Sequence, residues 1–254
     1  EIMSGDWSSD VCSSDLYAVQ GVVSIFMPGL MGIIADRWIP AQRLLGLCHL
    51  IAAIFMGATG FYGLGSAGNV QMPILFGLYS ISVAFYMPTL ALSNSVAFTG
   101  LTNAGMDTIR DFPSIRVFGT IGFICTMVSV DLLGFQNTSN QFLVSAGLGL
   151  VLALYAQSLP ACPTSKGEEK KSIVEALGLN AFYLFKQKRM AIFFIFSMLL
   201  GVSLQITNGF ANPYIQTYGQ LPEFTDTFGA QHANILISIS QISETCCILL
   251  IPFF

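Results

Sequence analysis

Ser238-Ile239-Ser240-Gln241-Ile242-Ser243-Glu244 lies inside an apolar run that extends from residue 233 to residue 254. That run is long enough to carry a helix through a bilayer's hydrocarbon core, which takes about 20 residues. It sets a carboxylate, Glu244, and an amide, Gln241, about halfway across. Their spacing of three residues puts both on one helix face. An ionisable side chain at that depth costs at least about 2.5 kcal/mol unless it meets water or a partner, and such a residue marks a substrate or ion path.

The rest of the chain has the composition of a membrane protein. It is 54% hydrophobic and 9% charged, with a mean hydropathy of +0.69, where soluble domains carry about 25% charged residues. The net charge of -4 comes with no basic patch interleaved with exposed aromatics, so nucleic acid is not an expected partner. Six cysteines (Cys12, Cys48, Cys125, Cys162, Cys246, Cys247) follow neither a metal-ligand spacing nor a secreted disulfide framework, and are expected as small core residues. No metal or cofactor is expected. A phosphate-cradling Gly-rich loop with a lysine is missing from the sequence, so ATP-driven transport finds no support.

Outward from the last run, six further apolar segments reach spanning length. All seven are expected near 17–35, 44–62, 73–98, 114–135, 140–158, 189–209 and 233–254. Every basic residue falls in the links at 36–43, 99–116 and 159–189, and none in those at 63–72, 136–139 and 210–232. The positive-inside rule makes the first set cytoplasmic, so the first helix enters from outside. The link at 159–188 shifts from Pro160 and Pro163 into a charged run containing Lys166, Lys170 and Lys171, followed by a short surface helix. It separates an expected first bundle at 17–158 from the start of a second at 189–254. Residues 1–16 do not fit this pattern: Asp6-Trp7-Ser8-Ser9-Asp10-Val11-Cys12-Ser13-Ser14-Asp15-Leu16 matches the translation of a sequencing-library adapter. They are set aside as a non-native segment, with the chain expected to be a truncated fragment.

Polar stripes recur on two more helices. Arg116, Thr120 and Phe123 share a face at spacings of four and three, and Gln205 and Asn208 lie three apart. A cation, a hydroxyl and an aromatic plane suit a ligand with a π-face and several hydroxyls. Amides grip hydroxyls or base edges because each offers donors and an acceptor. Each stripe also has a plainer reading: Arg116 as an interface anchor, Phe123 as packing, the amides as interhelical bonds. Asp131, near the outer end of its helix, is expected to be solvated, and His49 and His232 to be structural. Tyr86 and Asn94 are cavity or packing groups.

At the first cytoplasmic turn, Gly32-Ile33-Ile34-Ala35-Asp36-Arg37 resembles the first half of the loop motif of the major facilitator superfamily, although Ile39 stands where a second glycine belongs and Arg43 comes late. On spacing, Gly32 would let two helices approach closely. A sharper resemblance runs through Ser24-Ile25-Phe26-Met27-Pro28, Phe85-Tyr86-Met87-Pro88-Thr89, Asp111-Phe112-Pro113 and Ile115-Arg116-Val117-Phe118-Gly119-Thr120-Ile121-Gly122-Phe123. These segments are similar to the bacterial nucleoside:proton symporter family, and the similarity covers residues 17–254.

That resemblance implies an all-α major facilitator bundle of which this chain holds about seven of twelve transmembrane helices, the second to the eighth. It implies multi-pass placement in the bacterial inner membrane, nucleoside and protons as partners alongside lipid, a monomer when full length, and no enzymatic activity. It also implies a substrate cavity lined by Arg116, Thr120, Phe123, Gln205, Asn208 and Gln241, with Glu244 coupling the proton and Gly32, Asp36 and Arg37 forming the conformational motif. The alternatives are a seven-helix receptor, an intramembrane hydrolase lacking a visible nucleophile or metal pair, and a symporter for another sugar-like solute.

Overall fold

The computed structural model describes residues 13–66, 69–136, 138–164 and 179–250. Within them the chain is helical, with seven helices long and apolar enough to cross a membrane. They are α1 (Ser13–Arg37), α2 (Ala41–Gly65), α3 (Met72–Asn103), α4 (Thr108–Leu132), α5 (Asn140–Tyr155, extended to Ser158 by a 3-10 turn), α6 (Lys188–Tyr218) and α7 (Ala233–Leu250). Residues 1–12 of the segment read as adapter-derived, with Cys12, lie outside the described residues. So do the charged run at 166–171, the expected surface helix after it, and residues 251–254. Residues 13–16 form the first turn of α1.

Local chemistry explains the helix ends that matter for the site. Asp107 caps α4, its carboxylate accepting from the Ile109 and Arg110 amides at 2.8 and 3.3 Å. Asp111 reaches back to the Asp107 amide at 3.1 Å. The helix therefore starts at Thr108 and passes through Pro113, earlier than the expected start near 114: a good cap outweighs one ladder bond lost at proline. Its far end is closed by Gly134 at φ 69°, in the left-handed region, with the Phe135 amide bonded to the Val130 carbonyl. Gly105, also at φ 69°, closes α3 in the same way. α6 continues to Tyr218, well past the expected end at 209, carrying Pro213 within it.

The helices sort into two compact units. In the first, α2 packs against α3 and α5, and α1 against α3. The core gathers Met31, Ala35, Leu44, Leu45, Cys48 and Leu92. Close approach is made at small residues: a Cβ added to Gly60 would meet Leu143 at 2.7 Å, and one added to Gly149 would meet Ala53 at 3.0 Å. One added to Gly32 meets nothing within 4 Å, so the approach expected there is made elsewhere on the unit. Buried polar groups are paired: Ser82 Oγ donates to the Ala52 carbonyl at 2.8 Å, and Gln42 Oε1 accepts from the Cys162 amide at 3.0 Å.

The second unit holds α4, α6 and α7, with α7 packed along α4 and touching α6. The expectation of core cysteines holds for Cys48 and Cys162 and fails for Cys125, Cys246 and Cys247, which are exposed. A small apolar side chain that faces lipid incurs no hydrophobic penalty, so a membrane helix does not have to bury it.

Candidate functional site

All seven residues singled out on polar stripes belong to the second unit: Arg116, Thr120 and Phe123 on α4, Gln205 and Asn208 on α6, Gln241 and Glu244 on α7. Thr120 and Gln241 are half-buried and the other five are exposed. None of the seven side chains makes a hydrogen bond or ion pair with another described residue, and Arg116 and Glu244 form no ion pair within 4 Å. The His49 ring instead meets Tyr86 edge-on at 6.3 Å in the first unit, where Asn94 is exposed. Gly32, Asp36 and Arg37 also lie in the first unit, the latter two exposed at the end of α1.

Contacts that join the three helices lie near the end of α4, toward the end of α6 and at the start of α7, the ends expected to face outside. Asp131 Oδ2 stands 3.1 Å from His232 Nδ1, and with an ionised carboxylate as acceptor the Nδ1–H is the donor. Asp131 was expected to be solvated, yet its side chain is only 2% exposed against 33% for His232. An anion so enclosed needs a donor, and His232 supplies it. Beside this pair Asn212 acts as a hub. Its Oδ1 accepts from Gln136 Nε2 at 3.2 Å and Gln216 Nε2 at 2.8 Å, and its Nδ2 donates to Asn234 Oδ1.

These contacts set relative depth. At 1.5 Å per residue and counting down from the Asp131–His232 contact, Phe123 lies about 12 Å deep. Gln205 and Gln241 both lie about 13 Å deep, placed through Asn212 and Asn234. Thr120 and Glu244 follow at about 17 and 18 Å, Asn208 is nearer the outside at about 9 Å, and Arg116 is deepest at about 22 Å. Direction agrees with depth. Asp131 and Thr120 are eleven residues apart, Asn212 and Gln205 seven, Asn234 and Gln241 seven. At 3.6 residues per turn, each lower residue lies within about 20° of the direction of the one above it. Three helices thus bring an aromatic ring and two amides to one level, a hydroxyl and a carboxylate just below, and a cation below those. A flat heteroaromatic ring bearing a polyol could meet each of these in turn.

The outer cluster escaped the sequence reading. Its signal was present in the 7- and 11-residue repeats that extend each stripe outward, but the pairing of Asp131 with a histidine 101 residues away is not local information.

The model of a family described as "Nucleoside H+ symporter" matches residues 3–254. The chain belongs to the nucleoside H+ symporter family. Among its relatives, the xanthosine permease of Escherichia coli K12 is 45% identical over 240 residues, which cover 94% of this chain and 56% of the permease. The nucleoside permease NupG of the same organism is 47% identical over the same shares. Crystal structures of NupG superpose with TM-scores of 0.80 for a point variant and 0.73 for a second structure, at 45% and 46% identity. They cover 94% of this chain and 58% and 57% of NupG. The chain spans a little over half the length of the relatives it matches. The fold is that of a major facilitator bundle, and the seven helices make it a multi-pass membrane protein.

Proposed function

We propose that this chain carries the substrate- and proton-handling helices of a proton-coupled nucleoside importer of the bacterial inner membrane. The observation that carries the reading is the layered set of seven side chains on α4, α6 and α7, none of them spent on an internal partner among the described residues. Polar groups left open inside a membrane bundle are expensive unless they line a cavity with a ligand or water. The names and family of the relatives supply the ligand class.

In this reading Phe123 stacks on the base, and Gln205 and Gln241 at the same level bond its edge or the ribose. Asn208 closes the outer side and Thr120 and Arg116 contact the inner one. Glu244 takes a proton on the outer side and releases it inward. The proposed bundles are residues 17–158 and 189–254, joined by a cytoplasmic link at 159–188, with α4 of the first packed against α7 of the second. The bundles rock about the site to alternate access, with Gly32, Asp36 and Arg37 at the turn that moves. Nothing in this scheme makes or breaks a covalent bond in the substrate, so it is not an enzyme. The complete protein acts as a monomer. Neither a receptor nor a hydrolase has an observation in its favour.

The test is uptake of labelled uridine by cells expressing the complete gene product that carries this sequence, with and without a protonophore. Accumulation that collapses with the proton gradient is expected. Uptake of a free sugar but no nucleoside would sink the substrate assignment, and accumulation indifferent to the protonophore would sink the coupling.

A further inference from the structure

We propose that the outer polar cluster, Asp131 with His232 and Asn212 with Asn234, Gln136 and Gln216, is a positioning device that sets the height of the site residues on three helices. The proposal rests on the nucleoside-transport reading for its substrate, but its geometry stands apart from it. α4 and α7 are antiparallel apolar helices packed side by side, and a hydrogen bond, being directional, selects one register among those that apolar packing allows. The Asp131–His232 bond at 3.1 Å joins the last turn of α4 to the residue just before α7, and so fixes that height. Asn212 does the same for α6. It accepts from Gln136 in the segment after α4 and donates to Asn234 in the first turn of α7, so one side chain ties all three elements.

The consequence lies lower down. Thr120, Gln205 and Gln241 stand two to three helical turns beneath Asp131, Asn212 and Asn234 and in nearly the same directions. A slip of one residue at the cluster would displace a site residue by about 1.5 Å along the axis. It would also turn that residue by about 100°. The shift takes an amide off the level of Phe123, and the turn points it away from a ligand held there. None of the cluster residues needs to touch the ligand for this to matter.

Kinetics of uridine uptake in the complete gene product, normalised to the amount of protein in the membrane, provide the first test. Asp131→Leu removes the acceptor while keeping the branched side-chain shape and is expected to raise the half-saturation concentration by about tenfold or more, since misplacement by about 1 Å can cost far more than that. Asp131→Asn still accepts from His232 and is expected to remain within about threefold of the parent. A merely structural role predicts the opposite split: less protein, with an unchanged half-saturation concentration in what remains. That result overturns the proposal, as does an Asn variant as impaired as the Leu variant. Should Asp131→Leu fail to reach the membrane, His232→Asn against His232→Leu makes the same comparison from the donor's side.

The second readout needs no nucleoside. In a background of the complete gene product with every cysteine replaced by serine, Gln205→Cys and Gln241→Cys are expected to join efficiently through a short bifunctional thiol reagent. Adding Asn212→Leu is expected to abolish most of that product; an unchanged yield overturns the proposal. Absence of nucleoside uptake by the unsubstituted complete gene product, with cross-linking of the Gln205→Cys/Gln241→Cys pair as expected, would break the functional reading while the positioning role stands.

Discussion

Along the α2–α5 seam of the first unit, Gly60 faces Leu143 and Gly149 faces Ala53, and the backbones close in over small residues. Where α4, α6 and α7 meet in the second unit, the contacts toward the outer ends are Asp131 with His232 and Asn212 with Asn234. Below them the polar side chains are left open. The buried polar groups of the first unit are bonded to backbone, as Ser82, Gln42 and Thr59 are, while the side chains of exposed ones such as Asn94 and Gln141 have no hydrogen-bond partner among the described residues. An interhelical hydrogen bond in a membrane averages about 0.6 kcal/mol, so polar groups are weak glue compared with close packing. The six open polar groups of the second unit, with Phe123 among them, are poorly explained as stabilisers, which supports the proposed ligand contacts.

The largest break in that contrast would come from Glu244→Gln. The amide keeps size and hydrogen-bonding capacity but holds no exchangeable charge near pH 7. Uridine accumulation against a gradient is expected to disappear, with passive exchange across the membrane retained. Accumulation at the parent's level would remove Glu244 from the coupling role and leave its exposed carboxylate without an account.

Phe123→Ala comes next. Base stacking on an aromatic ring is worth roughly 1–3 kcal/mol, which corresponds to about 5- to 150-fold in Kd. The loss is expected for all nucleosides alike, because every base offers a π-face, and is read by calorimetry or equilibrium binding in detergent. With 53% of its surface open, Phe123 contributes little to packing, so thermal stability should hardly move. A stability loss with unchanged affinity would place it on the side of the seam residues instead.

Much of this contrast was legible before the structure. The seven spanning helices among the described residues follow from apolar length, because a bilayer imposes it. The three stripes are legible because residues three and four apart share a helix face. Helix ends were less so. α4 starts at Thr108 because Asp107 caps it, and hydropathy cannot register a cap. α6 runs to Tyr218 because a helix can continue beyond the apolar layer once water satisfies its surface. Asp131 was misjudged because proximity to a helix end suggests water, while its burial depends on a loop histidine distant in sequence. That all three stripes fall in one compact unit is a packing fact, without trace in any local pattern.

A smaller effect tests the packed side of the comparison. Gly60→Ala places a methyl 2.7 Å from Leu143 Cδ2 and 3.3 Å from its backbone nitrogen. The side-chain tip can swing away but the backbone cannot, so a cost of about 1 kcal/mol is expected, at the low end for overpacking. Thermal unfolding in detergent should show it, with nucleoside affinity intact. A stabilised variant would mean that the seam has slack, and close packing would then be a weaker contrast to the open site.

Ser82→Ala should produce the smallest change. Ser82 is buried in α3, and its hydroxyl donates across to the Ala52 carbonyl of α2 at 2.8 Å. That carbonyl lies inside α2, where the helix ladder already supplies an amide partner, so deleting the hydroxyl strands no acceptor. Alanine fills nearly the same volume, so no sizeable cavity opens either. What remains is the net worth of one interhelical bond, about 0.6 kcal/mol, visible as a slight fall in unfolding temperature with Kd unchanged. A loss several times larger would make single polar contacts strong supports in this bundle. The open amides of α6 and α7 would then have to be weighed as glue that has lost its partners, rather than as groups kept free for a ligand.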